Sequence, residues 1–366
     1  MKQETALTNF LQELTNYKNG VDEAVASEAR QLTAETERLF TGAPAEVVSV
    51  YNEVLSRGGK RVRGALAMVA YECCGGTDNS SILRVAAVME MLHAYMLIMD
   101  DIQDRSVTRR GGPTAHKLLE AYHIAQGYSG SPEHTGLSLG LNAFSVGAHQ
   151  AMRIMASLPI EPSCLLEAIE LIHRNLVLTA HGQTIDITNE LRDHVGLGDA
   201  EQALLYKTAY YTFLNPLMVG AVLAGANKQQ RDILQHYSLA AGKVFQLTDD
   251  IIGIYGQQTS TGKDPMDDIR EGKRNILTVM ALDNASQPDA DFLRKQLGNS
   301  ALTEPNFQRV LRIIEQSGAV AAVRQQIADA ATAAQQSLAD AKQFGCHQTQ
   351  IQFLSDLVTY LTVRDK

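Results

Sequence analysis

Residues 82–104 read ILRVAAVMEMLHAYMLIMDDIQD, a strongly apolar run that closes on Asp100, Asp101 and Asp104. Val85, Val88, Met89, Leu92, Met96 and Met99 fall on helical spacing. At about 100° per residue, Asp104 sits roughly 40° from Asp100 and Asp101 about 100° from it. Three carboxylates therefore crowd one end of a core helix, where like charges destabilise a bare helix. Solvation of a helix end explains one or two acids better than three on one arc. Hard oxygen ligands at this spacing suit Mg²⁺, which keeps waters and takes substrate phosphates as its other ligands.

The rest of the chain carries the same helical period. Leu7, Phe10, Leu11 and Leu14 mark an amphipathic N-terminal helix, and Ile169, Ile172, Leu176 and Thr179 another. Val310, Ile313 and Ile314 mark a third near the end. No stretch alternates strictly in twos between turn residues, so strands are minor or absent. Breaks are expected at Arg57-Gly58-Gly59, Gly75-Gly76, Gly111-Gly112-Pro113, 127–136, Leu158-Pro159 and 256–272. The expectation is an all-α chain, a single large bundle of more than ten helices around a central cavity. Residues 1–45 form an amphipathic helical extension ahead of a catalytic domain at 46–366.

Composition narrows the function. The 366 residues hold 32 Lys and Arg against 41 Asp and Glu, for a net charge of -9. Hydrophobic residues make up 45% and charged residues 20%, an ordinary globular balance. An acidic chain is not expected to grip nucleic acid on a broad basic face. Cys73, Cys74, Cys164 and Cys346 form no CxxC pair, which points to reduced thiols in a cytoplasmic protein. The longest uncharged apolar stretch, near 216–226, is far short of a membrane span, so none is expected.

A second acidic pair, Asp249 and Asp250, lies in FQLTDDIIGIYG, one turn after Phe245 and Gln246. Two facing acidic helix ends can clamp metal ions around one polyphosphate. Cations gather locally to match. Arg57-Gly58-Gly59-Lys60-Arg61-Val62-Arg63 sets four basic residues around a Gly-Gly turn. Arg109 and Arg110 follow the first acidic cluster, and Lys263 and Lys273 flank the loop GKDPMDDIREGK. Arginine offers bidentate contacts to phosphate and lysine a point charge.

Two rivals explain less. Three Glu-x-x-His pairs, at Glu90/His93, Glu120/His123 and Glu170/His173, resemble the ligand pattern of a carboxylate di-iron bundle. That reading leaves both acidic clusters and the Gly-Gly-Lys-Arg segment without a task. A class I terpene cyclase shares an Asp-rich helix but has no need of the Gly-Gly-Lys-Arg anion site.

In order along the chain, these elements resemble the trans-isoprenyl diphosphate synthases, the polyprenyl synthetase family that includes farnesyl and geranylgeranyl diphosphate synthases. The resemblance implies that Lys60, Arg63, His93 and Arg110 hold isopentenyl diphosphate and Arg109 an allylic diphosphate. Asp100, Asp101 and Asp104 match the first Asp-rich motif, and Asp249 and Asp250 the second; together they imply Mg²⁺, three ions per active site. Gly182-Gln183 with Asp186, then Lys207 and Thr208, match the middle elements. Lys207, Thr208 and Gln246 would face the carbocation, while Lys263, Asp268 and Lys273 belong to the loop after the second motif, a candidate lid. Tyr95 and Met96, before the first Asp, are the positions that limit product length. The implied enzyme is a short-chain prenyltransferase making geranylgeranyl diphosphate from a dimethylallyl, geranyl or farnesyl primer. A farnesyl or longer product, or a non-catalytic modulating subunit, is the alternative. A homodimer is implied by the same resemblance. Three departures stand out: Gly64 where Pro is usual, Gly253 in place of the third acid of the second motif, and Leu141 where Gly-Asp is common.

Overall fold

The computed structural model describes residues 2–256 and 264–364. The helices run α1 (Lys2–Glu37), α2 (Ala43–Ser56), α3 (Val62–Cys73), α4 (Asn79–Gln103), α5 (Ala115–Ala125), α6 (Pro132–Ala156), α7 (Pro162–Glu190) and α8 (Leu197–Ala203). A π-helix over Leu204–Leu214 leads into α9 (Asn215–Leu223) and α10 (Lys228–Tyr255). After residue 264 come α11 (Asp267–Glu271), α12 (Ile276–Asn284), α13 (Gln287–Gln296), α14 (Glu304–Gln316), α15 (Ala319–Leu338) and α16 (Gln348–Val363). The bundle of more than ten helices expected from the periodicity is present. Among the described residues the only strands are a two-residue hairpin, Thr108–Arg109 against Gly112–Pro113, turning on Gly111.

Helix α4 is the axis of the bundle. Asp78 caps it, accepting from the Ser80 and Ser81 amides at 3.0 and 3.3 Å. It is apolar on every side because it packs against α1, α3 and α6 at once. By length and composition α4 could cross a membrane, contrary to the expectation that no stretch is long enough, but 72% of its most apolar window is buried inside the bundle. Helix α1 ends at Glu37 and buries Phe10, Leu14, Val21, Val25 and Leu32 in the same core, while Leu11 stays on the exposed side. Burial of a Phe or Leu side chain is worth about 1.5–3 kcal/mol, so this stripe fixes α1 on the bundle. All four cysteines are free thiols.

The π-helix matters most for the site. It carries 11 residues, far longer than the single-turn bulges usual for this geometry. Pro216 follows it and has no N–H to donate to the preceding turn, which favours the wider helix. The wider turn puts Lys207, Thr208, Tyr211 and Thr212 on one cavity wall.

Candidate active site

A cavity of about 600 Å³ opens between the C-terminal end of α4, the π-helix, α10 and the C-terminus of α16. It is lined by Lys60, Arg63, His93, Met96, Asp100, Asp104, Arg109, Arg110, Lys207, Thr208, Gln246, Asp249, Asp250 and Lys273. Residues from six separate segments thus converge on one space. Lys263 lies outside the described residues.

One end of the cavity is basic. Lys60 donates to the Tyr360 hydroxyl and lies 5.0 Å from its ring centroid. Arg63 stacks on Tyr211 at 4.3 Å and donates to the Tyr211 and Thr212 hydroxyls at 2.6 and 2.8 Å. Its Nε is buried without a hydrogen-bond partner. Burial, then Arg63 and Arg110, hold His93 well below the ordinary imidazole value, so it is neutral. Arg110 can only donate, so His93 Nε2 accepts from it at 3.3 Å and the Nδ1 proton points to Tyr211 at 3.1 Å. Arg61, Arg105 and Arg110 are the non-glycine residues with positive φ among the described residues, and two of them border this basic end. Such strain, about 1–3 kcal/mol each, clusters at ligand-binding sites.

The other end is acidic, and most of its carboxylates face a cation. Arg109 bridges Asp101 at 2.5 Å and Asp100 at 3.1 Å. Lys207 bonds Asp186 at 2.6 Å and lies 3.7 Å from Asp100. Burial alone would lower both lysines, but Asp186 and Asp100 hold Lys207 above its ordinary value, and Asp104 and Asp186 do so more strongly for Lys273. Lys273 spans Asp104, Glu190 and Glu271 at 3.5, 3.5 and 3.3 Å. Across the cavity Arg364 donates to Asp249 at 2.5 Å and stacks on Phe245 at 4.3 Å. Gln246 donates to Asp250 at 2.8 Å. Burial raises Asp249 and pushes Asp250 up to about 8, the latter with Asp268 and Asp249 adding repulsion.

Two residues sit differently from expectation. Asp101 does not line the cavity: it is 1% exposed and committed to Arg109, so it orients that arginine where the sequence suggested a metal ligand. Tyr95 is buried behind the wall, edge-on to Phe144 at 5.0 Å, while Met96 lines the cavity. The di-iron arrangement fails, because Glu90 is spent on Arg61 and the Gly64 amide and His93 on Arg110 and Tyr211. Tyr211, Thr212, Tyr360 and Arg364 were not foreseen. The first two follow Lys207 by four and five residues with no charge to mark them, and the last two belong to no motif.

Among the described residues no three His, Cys, Asp or Glu side chains converge to cage a metal by themselves. Asp100 and Asp104 on one wall and Asp249 on the other are nonetheless all-oxygen donors paired with displaceable cations. That donor set fits Mg²⁺, which takes one or two carboxylates per ion and completes its shell with water and phosphate.

Carboxylates on two facing helix ends, with a basic pocket beside them, define an enzyme that acts on diphosphates inside a helical bundle. Residues 44–314 match the polyprenyl synthetase family, and the chain belongs to it and is a prenyltransferase. The chain is similar to a geranylgeranyl pyrophosphate synthase from Corynebacterium glutamicum whose crystal structure contains isoprenyl diphosphate and magnesium. The two are 30% identical with a TM-score of 0.88, over 95% of this chain and 99% of that one. It is 30% identical to a geranylgeranyl diphosphate synthase of Saccharolobus solfataricus over 71% of this chain and 74% of that protein. A geranylgeranyl diphosphate synthase of Sulfolobus acidocaldarius is 25% identical over 84% of both chains. Helix α1 lies ahead of the family match.

Proposed function

We propose that the protein condenses isopentenyl diphosphate with an allylic diphosphate, ending at geranylgeranyl diphosphate. The observation that carries this reading is the pairing, in one cavity, of the Lys60, Arg63, His93 and Arg110 cluster with the opposed Asp100, Asp104 and Asp249 carboxylates. One end suits a diphosphate bound by protein cations, the other a diphosphate bound through metal. The twenty-carbon product is supported by the names of the similar proteins and by the cavity-lining Met96 with the buried Tyr95 behind it, both ahead of Asp100.

Magnesium ions, three in this reading, held by Asp100, Asp104 and Asp249, would supply positive charge to a departing diphosphate. Arg109, Lys207 and Lys273 add fixed charge on the same side, pre-oriented by Asp101, Asp186 and Glu190. Thr208 and Gln246 present hydroxyl and amide dipoles to the allylic carbon beside the leaving group. Lys60, Arg63, His93 and Arg110 fix isopentenyl diphosphate so that its double bond meets that carbon, and the final proton passes to the released diphosphate. Water would trap the carbocation, so the apolar wall of Met96, Leu97 and Met99 serves to exclude it. The loop bearing Lys263 is the lid in this proposal. The reading takes the chain as a cytoplasmic homodimer, with residues 46–366 as its catalytic domain. Its test is incubation with isopentenyl diphosphate, Mg²⁺ and each of the five-, ten- and fifteen-carbon allylic diphosphates, followed by product chain-length analysis. A twenty-carbon product is expected; no turnover with any primer would favour the modulating-subunit reading.

A further inference from the structure

Helix α1 lies ahead of the matched family segment at residues 44–314, yet it touches the basic pocket from two sides. The first contact is electrostatic. Arg61 is 5% exposed and holds a left-handed φ of 50° between the cavity residues Lys60 and Arg63. Each of its three nitrogens donates: Nε to Asp22 on α1 at 2.7 Å, Nη2 to the Leu55 carbonyl at 2.9 Å and Nη1 to Glu90 at 3.4 Å. Gly58 and Gly59 also have positive φ, at 82° and 120°. Glycine takes positive φ freely, so the strain in this loop falls on Arg61, and Asp22 ties down the Arg61 side chain.

Steric contact from α1 acts on the same loop. A Cβ at Gly64 would lie 2.9 Å from Val21 of α1, and the Gly64 amide donates to Glu90 at 2.9 Å. Proline has neither the amide nor the space, so Gly64 departs from the family pattern where α1 presses on the first turn of α3. The second side runs through α16. Phe10 packs on Tyr360 with ring centroids 5.4 Å apart and on Phe353 at 5.1 Å. Tyr360 in turn receives the Lys60 ammonium.

We propose that α1 is a positioning element of the isopentenyl diphosphate site, with Asp22 setting the Lys60–Arg63 loop and Phe10 setting Tyr360. This inference rests on the assignment of Lys60 and Arg63 to isopentenyl diphosphate. Asp22 touches no substrate; it acts through Arg61.

The test is calorimetric titration of isopentenyl diphosphate, with Mg²⁺ present, into the full chain and its Asp22→Asn, Asp22→Glu and Lys18→Ala variants. Asp22→Asn is expected to weaken binding about tenfold, with Asp22→Glu recovering most of it. Lys18→Ala, which removes only the neighbouring surface partner of Asp22, is expected to bind as the parent does. In turnover, Asp22→Asn raises the isopentenyl diphosphate KM and leaves the allylic diphosphate KM unchanged, a split that general loosening of the fold would not produce. Should Asp22→Asn not fold, Phe10→Leu tests the second arm with the same expected split. Equal binding by parent and folded variants, or an equal rise in both KM values, overturns the inference while the functional reading stands. A parent chain that binds no isopentenyl diphosphate overturns both. A parent that binds it but forms no product overturns the functional reading alone.

Discussion

The Arg364 guanidinium occupies the Asp249 carboxylate, with Nη2 2.5 Å from Oδ1 and 3.0 Å from the Phe245 carbonyl. Burial raises the Asp249 carboxyl and Arg364 pulls it back, so the pair offsets a desolvated charge in the metal-free protein. A metal ion at Asp249 must compete with this internal cation. Arg364→Gln is therefore expected to lower metal-free stability by about 1 kcal/mol, modest because the Asp249 side chain is 37% exposed. It should also increase the rise in unfolding temperature that Mg²⁺ produces. Thermal unfolding at several Mg²⁺ concentrations checks this, and an unchanged Mg²⁺ response would rule out competition at Asp249.

Asp100 contacts Arg109 and Lys207 from its two oxygens, at 3.1 and 3.7 Å. Its loss removes a metal donor and the charge that arranges two cations. Asp100→Ala is expected to reduce Mg²⁺-dependent condensation by about a thousandfold or more. Single-turnover assays with saturating primer measure this, and near-normal turnover would sink the catalytic assignment.

The acidic helix ends were legible because each motif is contiguous and its geometry is that of one helix. Asp100, Asp104, Asp249, Lys207 and Lys273 could be read as neighbours of a diphosphate from residue type and order. The wheel could not say that Asp101, about 100° from Asp100, would turn into the protein and bind Arg109. Tyr211 escaped notice because, although about 40° from Lys207 on a helix, it carries no charge to mark it; Thr212, about 140° round a 3.6-residue helix from Lys207, is brought nearer by the π-helix. Tyr360 on the last helix and Arg364 just past its end enter the site only through tertiary packing. The amphipathic period of α1 was plain, but its task depends on Asp22 meeting Arg61, 39 residues away.

Product length tests the wall described above. Met96 lines the cavity, whereas Tyr95 stands behind it against Phe144. Met96→Ala opens space directly and is expected to shift product toward twenty-five carbons. Tyr95→Ser should lengthen product to a smaller degree, since a buried ring must vacate before the chain can pass. Chain-length analysis of both variants decides this; a larger shift from Tyr95→Ser would place the limiting barrier behind Met96.

Glu190 gives the metal-free protein a pH signature. Burial, with Asp186 and Asp104 adding repulsion against the pull of Lys273, pushes its carboxyl up to about 7 from an ordinary 4.5. A group raised on folding contributes stability that is fully present below the unfolded value and is lost as pH rises through the folded value. Its contribution therefore disappears between about pH 4.5 and 7, by an amount on the order of 3 kcal/mol. Glu190→Gln removes the titrating group and should flatten this part of the stability profile. Denaturant unfolding at pH 5 and pH 7.5 measures it, and parallel profiles for the two proteins would contradict the assignment.

Gly253 and Asp268 share one space. A Cβ at 253 would lie 2.3 Å from Asp268 Oδ2 and 3.3 Å from its Cγ, so the carboxylate of α11 fills the place where the third acid of the second motif would begin. Restoring that acid should harm the enzyme. Gly253→Asp must push Asp268 aside and set two carboxylates in contact, and overpacking of this kind costs about 1–3 kcal/mol. The displaced Asp268 carboxylate and the new one then crowd Asp250, whose carboxyl already feels repulsion from Asp268 and Asp249. Gly253→Asp is therefore expected to lower kcat about tenfold to a hundredfold. The double change Gly253→Asp with Asp268→Gly relieves the collision and should recover part of that loss. Steady-state assays of the single and double variants separate the two effects. A double variant no more active than Gly253→Asp alone would show that the collision with Asp268 is not the cause.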